Sequence, residues 1–145
     1  NGERIMAQIA VFVDSRGGNT RKVAEAIAQE LGVSIGDMTL PVPADTDILF
    51  LGSGTYGSKP GEAMQKFIAA GMYTGKKIAL FGTSGGPGGG EKMIAFMGDA
   101  LKQKGATILG SWHCPGKFLV MNWGRPNNED LDNARKFARE TTGKS

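Results

Sequence analysis

The sequence predicts an α/β protein in which a parallel, doubly wound sheet of five strands is covered by helices on both faces. Short apolar runs such as Ile9–Val13 alternate along the chain with segments of helical periodicity. In the segment after the first run, Val23, Ile27 and Leu31 recur at a four-residue spacing and form one apolar stripe. Strands that alternate with helices imply a parallel sheet, and five of them suit the strand order 2-1-3-4-5.

The elements follow one another without an internal repeat or a linker, so the chain is predicted to form one domain over residues 1–145. Residues 1–8 are mostly polar and are predicted to be a flexible N-terminal extension. The predicted strands are residues 9–13, 33–38, 47–52, 77–82 and 106–112, of which the second is weak. The predicted helices are residues 21–31, a segment from Pro60 to Gly71, residues 91–104 and residues 128–140, and residues 113–126 are irregular.

Composition restricts the function classes. Of the 145 residues 40% are hydrophobic, but no apolar stretch approaches the roughly 20 residues that a membrane-spanning helix needs. A single cysteine, Cys114, excludes an internal disulfide and favours the cytoplasm. The net charge is +3, but no basic stripe is interleaved with aromatic residues. We therefore expect a solvated basic surface and no nucleic-acid or membrane partner.

The most informative stretch is Ser15-Arg16-Gly17-Gly18-Asn19-Thr20, which joins the first strand to the first helix. Backbone N–H groups at a helix start lack intrahelical partners, and the helix dipole adds partial positive charge there. Gly17 and Gly18 let the backbone approach a ligand closely. The stretch predicts a site for a terminal phosphate; the alternative is an ordinary capped turn. It is neither a P-loop nor a G-x-G-x-x-G motif.

Two further loops are expected at the same edge of the sheet, residues 53–59 and 83–90. In open α/β sheets, ligands bind beyond the carboxyl ends of the strands. A phosphorylated receiver domain shares this winding, but it needs an acidic pair after the first strand and an aspartate after the third. Here Asp14 stands alone and the third predicted strand leads to Ser53.

In these loops and in the order of its elements, the chain resembles flavodoxin, the small electron-transfer protein that carries FMN. The first loop is similar to the family's S-x-T-G-N-T phosphate motif, with Gly17 in place of its first threonine. The second loop resembles the family's T-W/Y-G element as Thr55-Tyr56-Gly57. The length resembles that of the short-chain members, and the order of strands and helices also matches.

The resemblance implies roles for the residues of these loops. Ser15, Gly18, Asn19 and Thr20 would hold the FMN phosphate, with backbone N–H groups from Arg16 and Gly17. Tyr56 would stack on the isoalloxazine, and Thr55 and Ser58 would flank it. After one-electron reduction, the Gly57–Ser58 peptide could flip so that its carbonyl accepts a hydrogen bond from flavin N5–H.

The third loop departs from the family because it lacks the second aromatic residue that many flavodoxins carry. Backbone N–H groups of Thr83, Ser84, Gly85 and Gly86 would instead bond the pyrimidine edge of the flavin, while Gly88–Gly90 would be mobile. One flavin face would then be open, or an aromatic residue at the end of the last predicted strand or in the irregular stretch would cover it: Trp112, Phe118 or Trp123.

By this resemblance the protein is an electron carrier that shuttles electrons from a reductase to an acceptor enzyme through the flavin semiquinone and hydroquinone. Flavodoxins are usually acidic, so a chain of net charge +3 would need different partners. The alternatives are an NAD(P)H-dependent FMN or quinone reductase and a dedicated electron-transfer subunit of a larger reductase. No catalytic residue or metal site is predicted: His113 and Cys114 are neighbours in the chain and point to opposite sides of an extended segment.

Overall fold

The computed structural model describes residues 7–119 and 121–143 and forms an α/β sandwich of eight elements. The strands are β1 (Ile9–Asp14), β2 (Ile48–Gly54), β3 (Lys77–Ser84) and β4 (Thr107–Pro115). The helices are α1 (Asn19–Leu31), α2 (Glu62–Ala70), α3 (Gly89–Gln103) and α4 (Asn128–Thr142).

The sheet is parallel and its four strands run in chain order, β1-β2-β3-β4. The prediction of five strands is therefore wrong, and the order 2-1-3-4-5 is not confirmed as stated, although the first, third, fourth and fifth predicted strands are neighbours in the expected sequence. The predicted strand at residues 33–38 is reduced to one bridge between Ile35 and Val11, with the Gly36 N–H donating to the Val11 carbonyl at 2.8 Å. Val33 and Ile35 of that segment pack against the core under α1 and α4, and Met38 packs against the core on the other face. Gly36 and Asp37 follow Ile35 at once, so pairing does not propagate.

Alternation along the buried strands sends successive side chains to two separate cores. Val11, Phe50 and Phe81 pack under α1 and α4. Phe12, Leu51 and Leu80 point the other way and pack under α2 and α3. The helices on both faces are as predicted, and they leave the carboxyl ends of all four strands at one uncovered edge.

Several boundaries differ from the sequence prediction at this edge. Thr83 and Ser84 belong to β3, because they pair with Cys114 and Pro115 of a β4 that runs three residues further than predicted. Helix α3 begins at Gly89, after Gly88 in a left-handed conformation with φ of 78°, so two glycines expected in a mobile loop form its first turn. Helix α2 begins at Glu62 rather than at Pro60.

The N-terminal extension was predicted over residues 1–8, of which residues 1–6 lie outside the described residues. Gln8 continues the line of β1: its N–H donates to the Asp47 carboxylate at 2.7 Å, and its carbonyl accepts from the Asp47 N–H at 2.7 Å.

Candidate functional site: the loops at the carboxyl edge of the sheet

The loops that follow the four strands enclose two adjoining cavities. The first, of about 150 Å³, lies between the β1–α1 loop, the end of β2 and the chain after β4. The second, of about 270 Å³, lies between the Gly57–Ser58 turn and the start of α3. Both cavities are lined by Thr55, Ser84, Gly85 and Phe118, so they form one continuous site.

Twelve of the fourteen site residues predicted from the sequence line these cavities, and they come from three separate loops. They are Ser15, Gly17, Asn19, Thr20, Thr55, Tyr56, Gly57, Ser58, Thr83, Ser84, Gly85 and Gly86. Arg16 and Gly18 belong to the first of these loops but do not line either cavity.

The β1–α1 loop is arranged to accept an anion. Gly18 has φ of 89°, a left-handed conformation that glycine adopts without strain, and directly precedes α1. The Ser15 hydroxyl accepts from the Gly18 N–H at 3.2 Å. The N–H groups of Gly17, Asn19 and Thr20 have no hydrogen-bond acceptor within residues 7–119 and 121–143. They are the unpaired donors expected at a helix start.

At the floor of the first cavity, the hydroxyls of Thr20 and Thr83 lie 2.8 Å apart and are both buried. The Thr83 carbonyl also accepts a hydrogen bond from the Thr55 hydroxyl at 2.9 Å. These two contacts connect the start of α1 and the β2–α2 loop to β3 and so fix the positions of the two loops relative to each other.

Tyr56 lies across the β1–α1 loop. Its hydroxyl accepts from the Arg16 N–H at 3.0 Å, and the Arg16 guanidinium carbon lies 4.0 Å from the centre of its ring. A cation over an aromatic face is favourable. One face of the ring is therefore covered by Arg16.

The residues after Tyr56 form a two-residue hairpin. The N–H and carbonyl groups of Tyr56 and Lys59 bond each other at 2.8 and 3.2 Å, and the two central residues have φ of 61° at Gly57 and 64° at Ser58. Positive φ at both positions defines a type I′ turn. Glycine takes this conformation at no cost, whereas serine does not.

The chain after β4 closes the site on its remaining side. The Asn19 side-chain amide donates to the Lys117 carbonyl at 2.9 Å, and the Asn122 amide donates to the carbonyls of Gly85 and Gly116 at 3.0 and 3.2 Å. A Cβ on Gly85 would lie 2.5 Å from that of Phe118, so Phe118 packs directly on the β3–α3 loop.

Of the three aromatic residues considered from the sequence, Phe118 alone lines the cavities. Trp112 packs against the core under α1 and α4, and Trp123 has its ring 3.9 Å from the Lys117 ammonium nitrogen. Lys117, which lines the first cavity, and Asn122 were not predicted from the sequence, because nothing in the spacing of the residues after the last predicted strand indicates these contacts.

Cys114 and His113 face opposite sides of β4, as predicted. Cys114 is buried under α1 and α4, and this burial, together with the nearby Asp130 carboxylate, raises the pKa of its thiol to about 12. His113 lies beside Gly90 of α3. A thiol that stays protonated and buried is not a nucleophile.

Within residues 7–119 and 121–143, no three His, Cys, Asp or Glu side chains come together as a metal site. In this part of the chain no helix has the length and apolar character to span a bilayer.

A much larger cavity, of about 1180 Å³, lies elsewhere, between residues 36–44 and α2. It exists because the chain between α1 and β2 contains no helix to cover this part of the sheet. None of the fourteen predicted site residues lines it, and it lacks the unpaired backbone donors of the β1–α1 loop.

Comparison with known proteins identifies the family. Residues 10–121 match the family model of the flavodoxin domain. The chain is 33% identical to an uncharacterized protein of Methanocaldococcus jannaschii over 83% of this chain and 88% of that protein. It is 33% identical to a flavodoxin of Klebsiella pneumoniae over 74% of this chain and 73% of that protein.

The fold comparison agrees with the sequence comparison. Flavodoxin 2 from Bacillus cereus superimposes with a TM-score of 0.74 at 21% identity, over 96% of this chain and 100% of that one. Flavodoxin 1 from the same organism gives a TM-score of 0.73 at 20% identity, over 94% and 97% of the two chains. With most of its length matched by the domain model and its loops meeting at the carboxyl edge of a parallel sheet, this chain belongs to the flavodoxin family.

Proposed function

We propose that this protein carries electrons from a reductase to an acceptor enzyme on a bound FMN, which sits in the two joined cavities. FMN is the cofactor of the family to which the chain belongs. When bound, the flavin accepts and releases electrons one at a time; the protein binds it, covers it and presents its edge. The observation that carries the assignment is the group of unpaired N–H donors at Gly17, Asn19 and Thr20, above a floor of buried hydroxyls.

In this proposal the phosphate lies against the β1–α1 loop. The donors would be the N–H groups of Gly17, Asn19 and Thr20, at the positive end of the α1 dipole. Each hydroxyl can donate one hydrogen bond and accept two. The Thr20 hydroxyl can therefore donate to a phosphate oxygen while accepting from Thr83, and need not break the contact beneath it.

The isoalloxazine would lie between Tyr56 and Phe118. The Tyr56 ring is already anchored through its hydroxyl, and Arg16 covers one of its faces, so the flavin would stack on the other face or displace the guanidinium. Phe118 would cover the second flavin face, as the third loop has no aromatic residue. The backbone of Ser84, Gly85 and Gly86 would face the pyrimidine edge.

The Gly57–Ser58 turn would respond to the proton that N5 gains on reduction. Rotation of the peptide between the two central residues converts a type I′ turn into type II′, in which only the first residue keeps a positive φ. Gly57 permits both forms, while Ser58 is relaxed only in the second. The turn thus supports a proposal that the Gly57 carbonyl rotates towards N5–H.

Reconstitution tests the proposal directly. Purified protein is stripped of flavin, titrated separately with FMN and FAD, and followed by quenching of flavin fluorescence. We expect one equivalent of FMN to bind and FAD to bind far more weakly, since the site encloses a terminal phosphate. Stoichiometric, tight binding of FAD would contradict the placement of the phosphate.

The alternative is an enzyme that reduces quinones or similar acceptors with NAD(P)H. It is separated from a carrier by mixing the oxidised holoprotein with NADPH under anaerobic conditions. Bleaching of the flavin within seconds would indicate the enzyme, and an unchanged spectrum, followed by bleaching on addition of a flavodoxin reductase, would indicate the carrier.

A further inference from the structure

Positive charge is concentrated at the edge of the sheet where the cofactor site lies. The loops after the four strands are residues 15–18, 55–61, 85–88 and 116–127. They contain four cationic residues, Arg16, Lys59, Lys117 and Arg125, and no aspartate or glutamate. The whole chain has a net charge of +3, so the residues outside these loops together carry −1. The net positive charge of this protein is thus concentrated in the loops that surround the cofactor site.

Three of these cations have no carboxylate partner within the described residues and lie over aromatic rings instead. The Arg16 guanidinium carbon is 4.0 Å from the Tyr56 ring centre, and the Lys117 nitrogen is 3.9 Å from that of Trp123. The Lys59 nitrogen is 5.9 Å from the ring centre of Phe96 on α3. Arg125 differs, because it forms an ion pair with Asp130 at 2.6 Å.

The same edge exposes large apolar side chains. Four of them follow β4 and have exposed fractions between 46% and 75%: Phe118, Leu119, Met121 and Trp123. Apolar side chains grouped on a surface and bordered by charge are typical of a protein-binding site. We call these four residues together with Arg16, Lys59 and Lys117 the loop face.

We propose that the loop face docks on a carboxylate-rich surface of the protein that exchanges electrons with this chain. The inference rests on the proposed carrier function and adds the chemistry of the partner. Its unpaired cations attract carboxylates, and its apolar centre gains free energy when a protein surface removes it from water. Three unpaired cations are few for a polyanion such as nucleic acid, and exposed Leu119 and Met121 gain nothing against a phosphate backbone.

The test measures electron transfer from reduced, FMN-loaded protein to two one-electron acceptors of opposite charge, rubredoxin (acidic) and cytochrome c (basic), by stopped-flow absorbance. Raising the ionic strength from about 20 to about 500 mM should lower the second-order rate with rubredoxin at least about tenfold, because screening removes electrostatic steering. The rate with cytochrome c should not fall.

Charge-reversal variants locate the effect. Lys59→Glu combined with Lys117→Glu should lower the rubredoxin rate about tenfold at low ionic strength. The matched control is Lys77→Glu with Lys102→Glu, which makes the same change in net charge on exposed residues at the start of β3 and the end of α3. This control should change the rubredoxin rate less than about twofold. Lys59→Glu alone should reproduce part of the loss, and its side chain lines neither cavity.

Each contrary result has a distinct meaning. A rubredoxin rate that is insensitive to salt, or equally lowered by both variant pairs, overturns the docking inference. So does binding of duplex DNA or phosphatidylserine vesicles that the loop-face reversals abolish while the rubredoxin rate is unchanged. Reoxidation by neutral benzoquinone is the separate check: holoprotein that fails to reduce it overturns the carrier function itself, and the docking inference with it.

Discussion

Replacing Ser58 by glycine tests whether strain in the Gly57–Ser58 turn is coupled to reduction. Ser58 has φ of 64°, a left-handed conformation that costs a residue with a Cβ about 1–2 kcal/mol. A rotation of the preceding peptide to a type II′ turn removes this cost for serine. Glycine has no such cost to lose, so Ser58→Gly should disfavour the rotated form by the same amount.

Both turn forms belong to the folded protein, so the effect on the unfolded chain cancels in a redox potential. A tenfold change in equilibrium corresponds to about 59 mV for one electron, which converts 1–2 kcal/mol into a fall of about 40–85 mV. This fall should appear in the first one-electron potential, measured by anaerobic spectroelectrochemical titration. The second potential should stay within about 15 mV, since the turn has already rotated by then.

Ser58→Ala is the matched control because alanine keeps the Cβ and loses only the hydroxyl. We expect its first potential to remain within about 15 mV of the parent's. An equal fall in both variants would assign the effect to the hydroxyl. An unchanged first potential in Ser58→Gly would refute the coupling of turn strain to reduction.

Four further predictions concern the site and the core. Tyr56→Ala should weaken FMN affinity by about 1–3 kcal/mol in a fluorescence titration, while Tyr56→Phe, which loses only the hydroxyl that accepts from Arg16, should lose less than half of that. Thr20→Val and Thr83→Val should each lower the free energy of unfolding, measured with urea, by about 1–3 kcal/mol, because each leaves the partner's buried hydroxyl unpaired. The double variant should lose less than the sum of the two; strict additivity would mean that the 2.8 Å contact contributes nothing. Native Cys114, with its pKa raised to about 12 by burial, should not react with a thiol reagent at pH 8 until the protein unfolds; rapid labelling would contradict its burial. The second one-electron potential should lie about 50–100 mV above that of an acidic flavodoxin measured in the same buffer, because positive loops stabilise a reduced, anionic flavin.

The parts of the fold that were predictable are those set by short-range pattern. Buried runs such as Leu49–Leu51 and the apolar stripe of α1 specify strand and helix regardless of their neighbours. The β1–α1 loop was equally predictable, because the first backbone N–H groups of a helix lack intrahelical partners regardless of how the rest of the chain folds.

The errors occur where pairing or packing outweighs local preference. Ile35 forms a single bridge to Val11 and no strand, because Gly36 follows at once and the pairing with β1 does not propagate. Thr83 and Ser84 look like the start of a glycine-rich loop until β4 pairs with them. Gly90 favours no helix by propensity, yet it lies in α3, where a Cβ would come within 3.0 Å of His113.

The positions around Phe118 could not be predicted for a different reason. Its place in the site depends on Asn19 and Asn122, whose amides bond backbone carbonyls across the two loops. Nothing in the spacing of these residues indicates such contacts. From the sequence, Phe118 was therefore only one of three aromatic residues that could cover the flavin.

The single bridge at Ile35 has a consequence for local opening of the chain. β1 is fully paired with β2 on one side and, within the described residues, is bridged only through Ile35 on the other, whereas β3 is paired on both sides. Backbone amides on the poorly paired side of β1 should therefore exchange with deuterium well before those of β3. β1 leads directly into the Ser15–Gly18 loop, so a ligand bound there should protect amides of β1 much more than those of the sheet centre. Binding of FMN would then be detected as slower hydrogen–deuterium exchange of the backbone amides of β1, the strand that precedes the site.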